Sequence, residues 1–372
     1  MKDNYPEDNI FYTIYTIGEE KVYPEYQNCQ FVFVDTKPLF YKIDRACRYI
    51  FNKILKNVYI SNAFIKNVIK RLKKDKENYD LVLVENNPLY VLKLKKLYPN
   101  KLVLHLHNDY LNKDTKCSRK IVESCLKIIT ISDYLKRQVQ TIGVKEAFIE
   151  TIYNGIDIER FKNEVAEEKN IELRKKYGID KDEILFLYTG RLIKEKGVLE
   201  LLLAFEKLLR DYKNIKLLIV GGNNCKNHRK DHFTKKLNKI ANKNSGKIIF
   251  SGYIEYEDIP EIYSMADVQV IPSKWGEPLG NVVIEGAANG IKQIVTNDGG
   301  IVEVVNNATA SIISKENLVE ELYLEMKKVL EKKEYKNRSV NLEIQRFTRK
   351  EYVKNIKETL KKQGGMKNDR KT

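Results

Sequence analysis

The sequence predicts an α/β protein made of two similar, doubly wound halves, and three observations carry that reading. Short apolar runs of strand length alternate with longer amphipathic stretches from Asn9 onward, the pattern of parallel sheets covered by helices on both faces. From Val198 to Tyr212 apolar residues recur at 198, 201, 202, 205, 208 and 209, a 3.6-residue stripe. A charged segment from Lys162 to Lys176 is poor in apolar residues, and the domain boundary belongs there. Ligands of such folds sit beyond the carboxyl ends of the strands, so the expected site is a cleft between the two halves.

In the first half the predicted strands are Ile10 to Tyr15, Phe31 to Asp35, Leu81 to Glu85, Leu102 to His105, Ile128 to Ile131 and Ala147 to Ile152. Helical stretches from Tyr41 to Lys74, Pro88 to Leu97 and Asp133 to Ile142 separate most of them. The first two strands are joined instead by a loop with Gly18 and Pro24. No glycine-rich turn follows the opening strand, where a doubly wound domain usually carries one. After Y-N-G-I-D, Tyr153 to Asp157, the second half reads as strand Ile184 to Tyr188, helix Val198 to Tyr212 and strand Ile215 to Val220. A basic helix near Arg229 to Asn242, strand Lys247 to Phe250, a short helix Ile259 to Met265 and strands Asp267 to Ser273 and Gln293 to Thr296 complete it.

The 372 residues, 42% of them apolar, suffice for two cores. Lys and Arg (67) exceed Asp and Glu (51), a net charge of +16 that favours anionic partners such as nucleotides or an acidic membrane surface. Nucleic acid is not among the expected partners, because no recognition motif accompanies the charge. Cys29, Cys47, Cys117, Cys125 and Cys225 form no C-x-x-C pair and are odd in number, so neither zinc nor a disulfide framework is indicated. With no long apolar run and a polar N-terminus, the expected location is the cytoplasm.

The densest chemistry lies between Trp275 and Gly300. A helix must join the strands on either side, and Pro278 suits its first position. Gly280, Asn281 and Val282 would then offer backbone N–H groups to a phosphate at the helix N-terminus. Glu277 and Glu285 frame this site in an E-x7-E spacing, and carboxylates there suit vicinal hydroxyls of a sugar or ribose. Asn281, Glu285 and Asn289 also form one polar stripe, which could simply face solvent. The strand Ile184 to Tyr188 runs into T-G-R-L-I-K-E-K-G, where Gly190 makes the turn and Arg191 and Lys196 emerge at the strand end, two cations suited to a diphosphate. Gly221 and Gly222 allow close backbone approach after the next strand. In L-H-L-H-N-D, His105 and His107 point the same way along a strand, with His107 nearer its end. His228 and His232, with Asp231 between them, have metal-ligand spacing but lie in a strongly cationic segment that disfavours a metal. Asp180-Lys181-Asp182 reads as a turn, so no metal site is expected.

These residues resemble the retaining GT-B glycosyltransferases, in particular the GT4 family of bacterial enzymes. The matching stretches are E-P-L-G-N-V-V-I-E, G-R-L with the following K-G, Y-N-G-I-D with Phe161, N-D-G-G-I-x-E, and R-F-T-R-K-E-Y. The resemblance implies a GT-B fold, two Rossmann-like domains facing across a cleft. Residues 1–160 would form the acceptor domain, 161–345 the donor domain, and 346–372 a helix crossing back to the first domain with a basic tail. It implies that Arg191 and Lys196 bind the donor diphosphate, Glu277 the donor sugar, Glu285 the ribose, and that His107 contacts the donor sugar from the first domain. Gly190, Gly222 and the amides from Leu279 to Val282 would line the donor site.

The implied function is transfer of a sugar from a nucleotide diphosphate donor, a UDP-sugar by expectation, with retention and without a further cofactor. The acceptor would be a glycan or a lipid-linked one, in cell-envelope polysaccharide or spore-coat glycan synthesis, with peripheral contact to an anionic membrane. Gln293 stands where the family commonly has proline, a change expected to cost little. The family opens with a strand and glycine loop, whereas Asn9 to Tyr15 resembles a later strand. This departure motivates two alternatives: a catalytically incomplete, glycosyltransferase-like structural component, or a nucleotide-sugar epimerase of the same fold.

Overall fold

The structure, a computed structural model, describes residues 10–17, 28–34, 62–75, 78–162, 165–222, 232–306, 308–336, 338–340 and 342–365. The chain divides into two compact units: Met1–Ile131 with Leu135–Ile152 and Val353–Thr372, and Ser132–Tyr134 with Tyr153–Tyr352. The predicted Gly18–Pro24 loop, most of the Tyr41 to Lys74 stretch, and His228 with Asp231 lie outside the described residues.

In the first unit β1 (Tyr12–Thr16) and β2 (Cys29–Phe33) pair in parallel. A second parallel sheet runs in the order β3 (Val82–Glu85), β4 (Leu102–Leu106), β5 (Lys127–Thr130) and β6 (Ile149–Thr151). Every residue of β4 is buried, which is why L-V-L-H-L reads as a continuous run rather than an alternation. The helix Asn62–Asp75 turns Ile65, Val68 and Leu72 into the same core, an i, i+3, i+7 stripe. The predicted strand Ala147 to Ile152 begins later, at Ile149, because Glu146–Phe148 is taken by a 3₁₀ turn.

The second unit is a six-stranded parallel sheet. Its strands are β7 (Ile184–Thr189), β8 (Ile215–Val220), β9 (Ile248–Gly252), β10 (Val268–Ile271), β11 (Lys292–Thr296) and β12 (Ala310–Ile313). They lie in the order β12-β11-β10-β7-β8-β9. The chain starts at β7, steps outward through β8 and β9, then returns to β10 on the other side of β7. That reversal makes a crevice at the carboxyl ends of β7 and β10, the place where open α/β sheets bind ligands. The helix Val198–Asp211 covers one face with Val198, Leu201, Leu202, Phe205 and Leu208, all without exposed surface. Sequence reading did not identify β12 or the helix Leu318–Glu331, which buries Leu322, Met326 and Val329.

The Y-N-G-I-D segment is held by R-F-T-R. Ile156 bridges Thr348 in parallel, and its N–H donates to Phe347 O at 2.9 Å. A Cβ on Gly155 would lie 2.7 Å from Arg349 Cα, so only glycine fits. The helix Arg349–Gly365 follows; its Thr359 hydroxyl donates to Glu150 Oε1 on β6 at 2.8 Å.

Candidate active site

The loops after β7 and β10 meet at the switch point. Gly190, with φ 151°, turns the chain out of β7, and its N–H donates to Val220 O at 3.0 Å. Leu192 N–H donates to Gly222 O at 3.2 Å, and a Cβ on Gly221 would lie 1.9 Å from Gly190 O. Two strand ends are thus packed backbone against backbone, which only glycines permit. Gly197, in the left-handed region at φ 66°, ends the 3₁₀ turn Lys194–Lys196 against Pro272 O, where a Cβ would approach to 1.8 Å. Lys196 is thereby delivered to the loop after β10.

There the Lys196 ammonium pairs with Glu277 Oε1. Ser273 Oγ (2.8 Å) and Trp275 Nε1 (3.2 Å) donate to the same oxygen. Glu277 is only 6% exposed, and three donors compensate the burial of its charge. All three go to Oε1; among the described residues Oε2 receives no donor. The loop is pinned from behind by N-D-G-G. Gly300 N–H donates to Glu277 O at 2.7 Å, and a Cβ on Gly299 would lie 2.3 Å from Glu277 O. Arg191 is exposed and makes no ion pair among the described residues. Its charge and that of Glu277 both act on the buried Tyr188 hydroxyl, whose pKa is raised by burial and by Glu277. Both charges therefore belong to one neighbourhood.

The helix after this loop runs Asn281–Asn289, three residues later than Pro278 predicted. The cause is Gly280, whose φ of 89° breaks the turn before the helix begins. Among the described residues, the N–H groups of Leu279, Gly280, Asn281 and Val282 donate to no protein acceptor. They remain available to an anion, with the helix dipole behind them. Of the predicted polar stripe Asn281 is exposed, but the rest does not face solvent: Asn289 Nδ2 donates to Phe161 O at 3.0 Å and Glu285 is 6% exposed.

Glu285 sits on a buried polar relay that sequence reading missed. The Tyr263 hydroxyl donates to Glu285 Oε2 (3.1 Å) and accepts from Gln269 Nε2 (3.0 Å). Thr189 Oγ1 lies 3.0 Å from the same hydroxyl. Gln293 Nε2 in turn donates to Gln269 Oε1 at 2.8 Å and to Val283 O at 3.0 Å. Burial raises the Glu285 carboxyl to about 7, against the lowering effect of the Tyr263 hydrogen bond. As with Glu277, one oxygen is held, and Oε1 takes no donor among the described residues.

Two further placements complete the site residues. Glu303, in the N-D-G-G-I-V-E segment, accepts the N–H groups of Asp133 (2.8 Å) and Tyr134 (2.6 Å) at the start of the helix Asp133–Gln140. The Tyr134 hydroxyl lies against Gly276, where a Cβ would stand 2.0 Å from it. In the first unit His107 follows β4, with its Nε2 3.0 Å from Glu85 Oε2; the Glu85 partner had no signal in the sequence beyond its place at a strand end.

A family model described as "Glycosyl transferases group 1" matches residues 169–346, and one described as "Glycosyltransferase Family 4" matches residues 25–160. The chain belongs to the family 4 glycosyltransferases. The putative glycosyltransferase YtcC of Bacillus subtilis is 31% identical over 63% of this chain and 60% of its own length. Spore coat protein SA of the same organism is 31% identical over 62% of this chain and 63% of its own. The chain thus spans about three fifths of the curated relatives it matches. A crystal structure of Anabaena HepE in complex with UDP and glucose is 18% identical, covers 91% of this chain and 87% of that one, and superposes with a TM-score of 0.69. The fold is that of the GT-B glycosyltransferases. For a family 4 glycosyltransferase, glutamine at 293 is a departure with a structural reason. Gln293 has no exposed surface and anchors the relay beneath Glu285. Gly286 makes room for it: a Cβ there would meet Gln269 Oε1 at 2.0 Å and Gln293 Nε2 at 2.5 Å.

Proposed function

We propose that the protein is a retaining glycosyltransferase that uses a nucleoside diphosphate sugar, a UDP-sugar in the first instance. The observation that carries this reading is the matched state of the two glutamates. Among the described residues, Glu277 and Glu285 each have one oxygen held by the protein and one without a donor, on either side of four backbone N–H groups that meet no protein acceptor. That arrangement suits a ligand with hydroxyls at both ends and a diphosphate between them. Glu277 would take the sugar hydroxyls and Glu285 the ribose, while Arg191, Lys196 and the amides hold the diphosphate.

In the reaction the bond from the anomeric carbon to the diphosphate oxygen breaks while the acceptor oxygen bonds to that carbon on the same face. The acceptor proton passes to the departing phosphate oxygen. Negative charge grows on the diphosphate, and each preorganised donor contributes roughly 2–4 kcal/mol to its stabilisation. His107 would contact a hydroxyl of the donor sugar. The complex of HepE with UDP and glucose supports UDP as the first nucleotide to test. The likeness to spore coat protein SA supports a glycan or lipid-linked acceptor in spore-coat or envelope synthesis. The net charge of +16 supports cytoplasmic work at an anionic membrane surface; no described helix is long and apolar enough to cross one.

The test is a panel of UDP-, GDP- and ADP-sugars read first by thermal stabilisation and then by nucleotide release with and without glycan acceptors. A stabilising donor turned over with its anomeric configuration kept is the expected result. Stabilisation by none of them, or an inverted product, would overturn the proposal.

A further inference from the structure

The first unit places a carboxylate between two imidazoles. Glu85 ends β3 directly opposite His105 on β4, and His107 follows two residues later on the same face. One oxygen, Glu85 Oε2, lies 3.1 Å from His105 Nδ1 and 3.0 Å from His107 Nε2. A carboxylate only accepts hydrogen bonds, so each of those nitrogens carries a proton. His105 has no exposed surface, and its ring stands 4.2 Å from that of His107, backing it from inside. The backbone is fixed as well: His107 N–H donates to Asn86 Oδ1 at 3.0 Å, and Asn86 N–H donates to His105 O at 2.7 Å. The Glu85 side chain is 54% exposed, yet it turns to the two rings instead of to water.

We propose that Glu85 is a positioning residue that fixes the ring and tautomer of His107. It holds the proton on Nε2 and leaves the Nδ1 lone pair to accept from a hydroxyl of the donor sugar. The proposal rests on the donor-sugar role given to His107 above. A neutral imidazole free to rotate would offer a donor or an acceptor in turn; one held by a carboxylate offers a single face. The carboxylate stays ionised for this task. Partial burial pushes the Glu85 carboxyl up, but the hydrogen bonds from His105 and His107 outweigh it and bring it down to about 2. The same three groups could grip a divalent cation only after both ring nitrogens had lost their protons, and that alternative gives a different experimental signature.

The experiment uses the full chain labelled with ¹⁵N and ¹³C in histidine, of which the sequence has four. The H107Q variant assigns the His107 signals. In the wild type His107 shows one tautomer with the proton on Nε2; in E85Q its ring shifts move to the average of two tautomers, and E85D, with the shorter reach, falls between. With a nucleotide sugar, E85Q lowers kcat/KM by about tenfold to a hundredfold, while UDP, which lacks the sugar, binds within about twofold of wild type. E85Q combined with H107Q is no worse than H107Q alone. An unchanged His107 tautomer in E85Q would overturn the proposal, as would stoichiometric displacement of both ring protons by Zn²⁺ in the wild type. The tautomer is read without turnover, so failure of the glycosyltransferase reading and failure of this inference are separate results.

Discussion

Lys196 and Glu277 form an ion pair whose partners face different parts of the proposed ligand. In the proposed reaction, losing either cation would weaken stabilisation of the leaving diphosphate, so Arg191→Ala and Lys196→Ala should each lower turnover by roughly a hundredfold or more. Melting curves close to wild type would show that the fold survives; unchanged turnover in both variants would contradict the assignment. Glu285 supplies a pH signature. Its folded value of about 7 lies above the ordinary 4.5 of an unfolded glutamate. Stability from this group is therefore complete below about 4.5 and is lost as pH rises through about 7. Donor binding should run the opposite way, because in the role proposed for Glu285 ribose hydroxyls donate to the ionised form. Affinity for a stabilising UDP-sugar should rise as pH passes through about 7, and Glu285→Gln should flatten that profile. Calorimetry across the range checks it.

The helix Asn281–Asn289 works as an element because its two sides do different things. Its N-terminal amides face the crevice, while its buried side rests on the Gln293–Gln269–Tyr263 relay. Gly286→Ala would drive a methyl group into the amide pair and should cost about 1–3 kcal/mol, read as a lowered Tm. Shortening the obstructing side chain, in Gly286→Ala with Gln269→Ala, should recover part of the loss. E-x7-E, G-R-L and the strand-length apolar runs were legible in the sequence because each depends on local spacing. The start of the helix was not, since Pro278 suits a first helical position and only the left-handed Gly280 displaces it. The relay could not be read either. Gln269 and Gln293 lie 24 residues apart, and only the pairing of β10 with β11 brings them side by side. β12 escaped notice because Ala310–Ile313 contains only two large apolar residues, Ile312 and Ile313, too few to register as a strand.

At the scale of the whole molecule, the alternation of runs announced parallel sheets, but the strand order of the second unit depends on long-range pairing that no local pattern encodes. That order, β12-β11-β10-β7-β8-β9, puts the G-R-L loop and the E-x7-E loop at one switch point. The net charge of +16 is a property of the same scale. It predicts binding to vesicles rich in anionic lipid that falls steeply between low and physiological salt, with little binding to neutral vesicles; co-sedimentation measures it, and salt-independent binding would point to an apolar contact instead. The central claim is that the switch point of the second unit holds a nucleoside diphosphate. Calorimetric titration of UDP into the wild type and into Arg191→Ala with Lys196→Ala tests it most directly. Binding to the wild type and a loss of at least about tenfold in the double variant, about 1.4 kcal/mol or more, are the expected results. Equal affinity in the two proteins, or no binding of UDP or any other nucleoside diphosphate to the wild type, would contradict it.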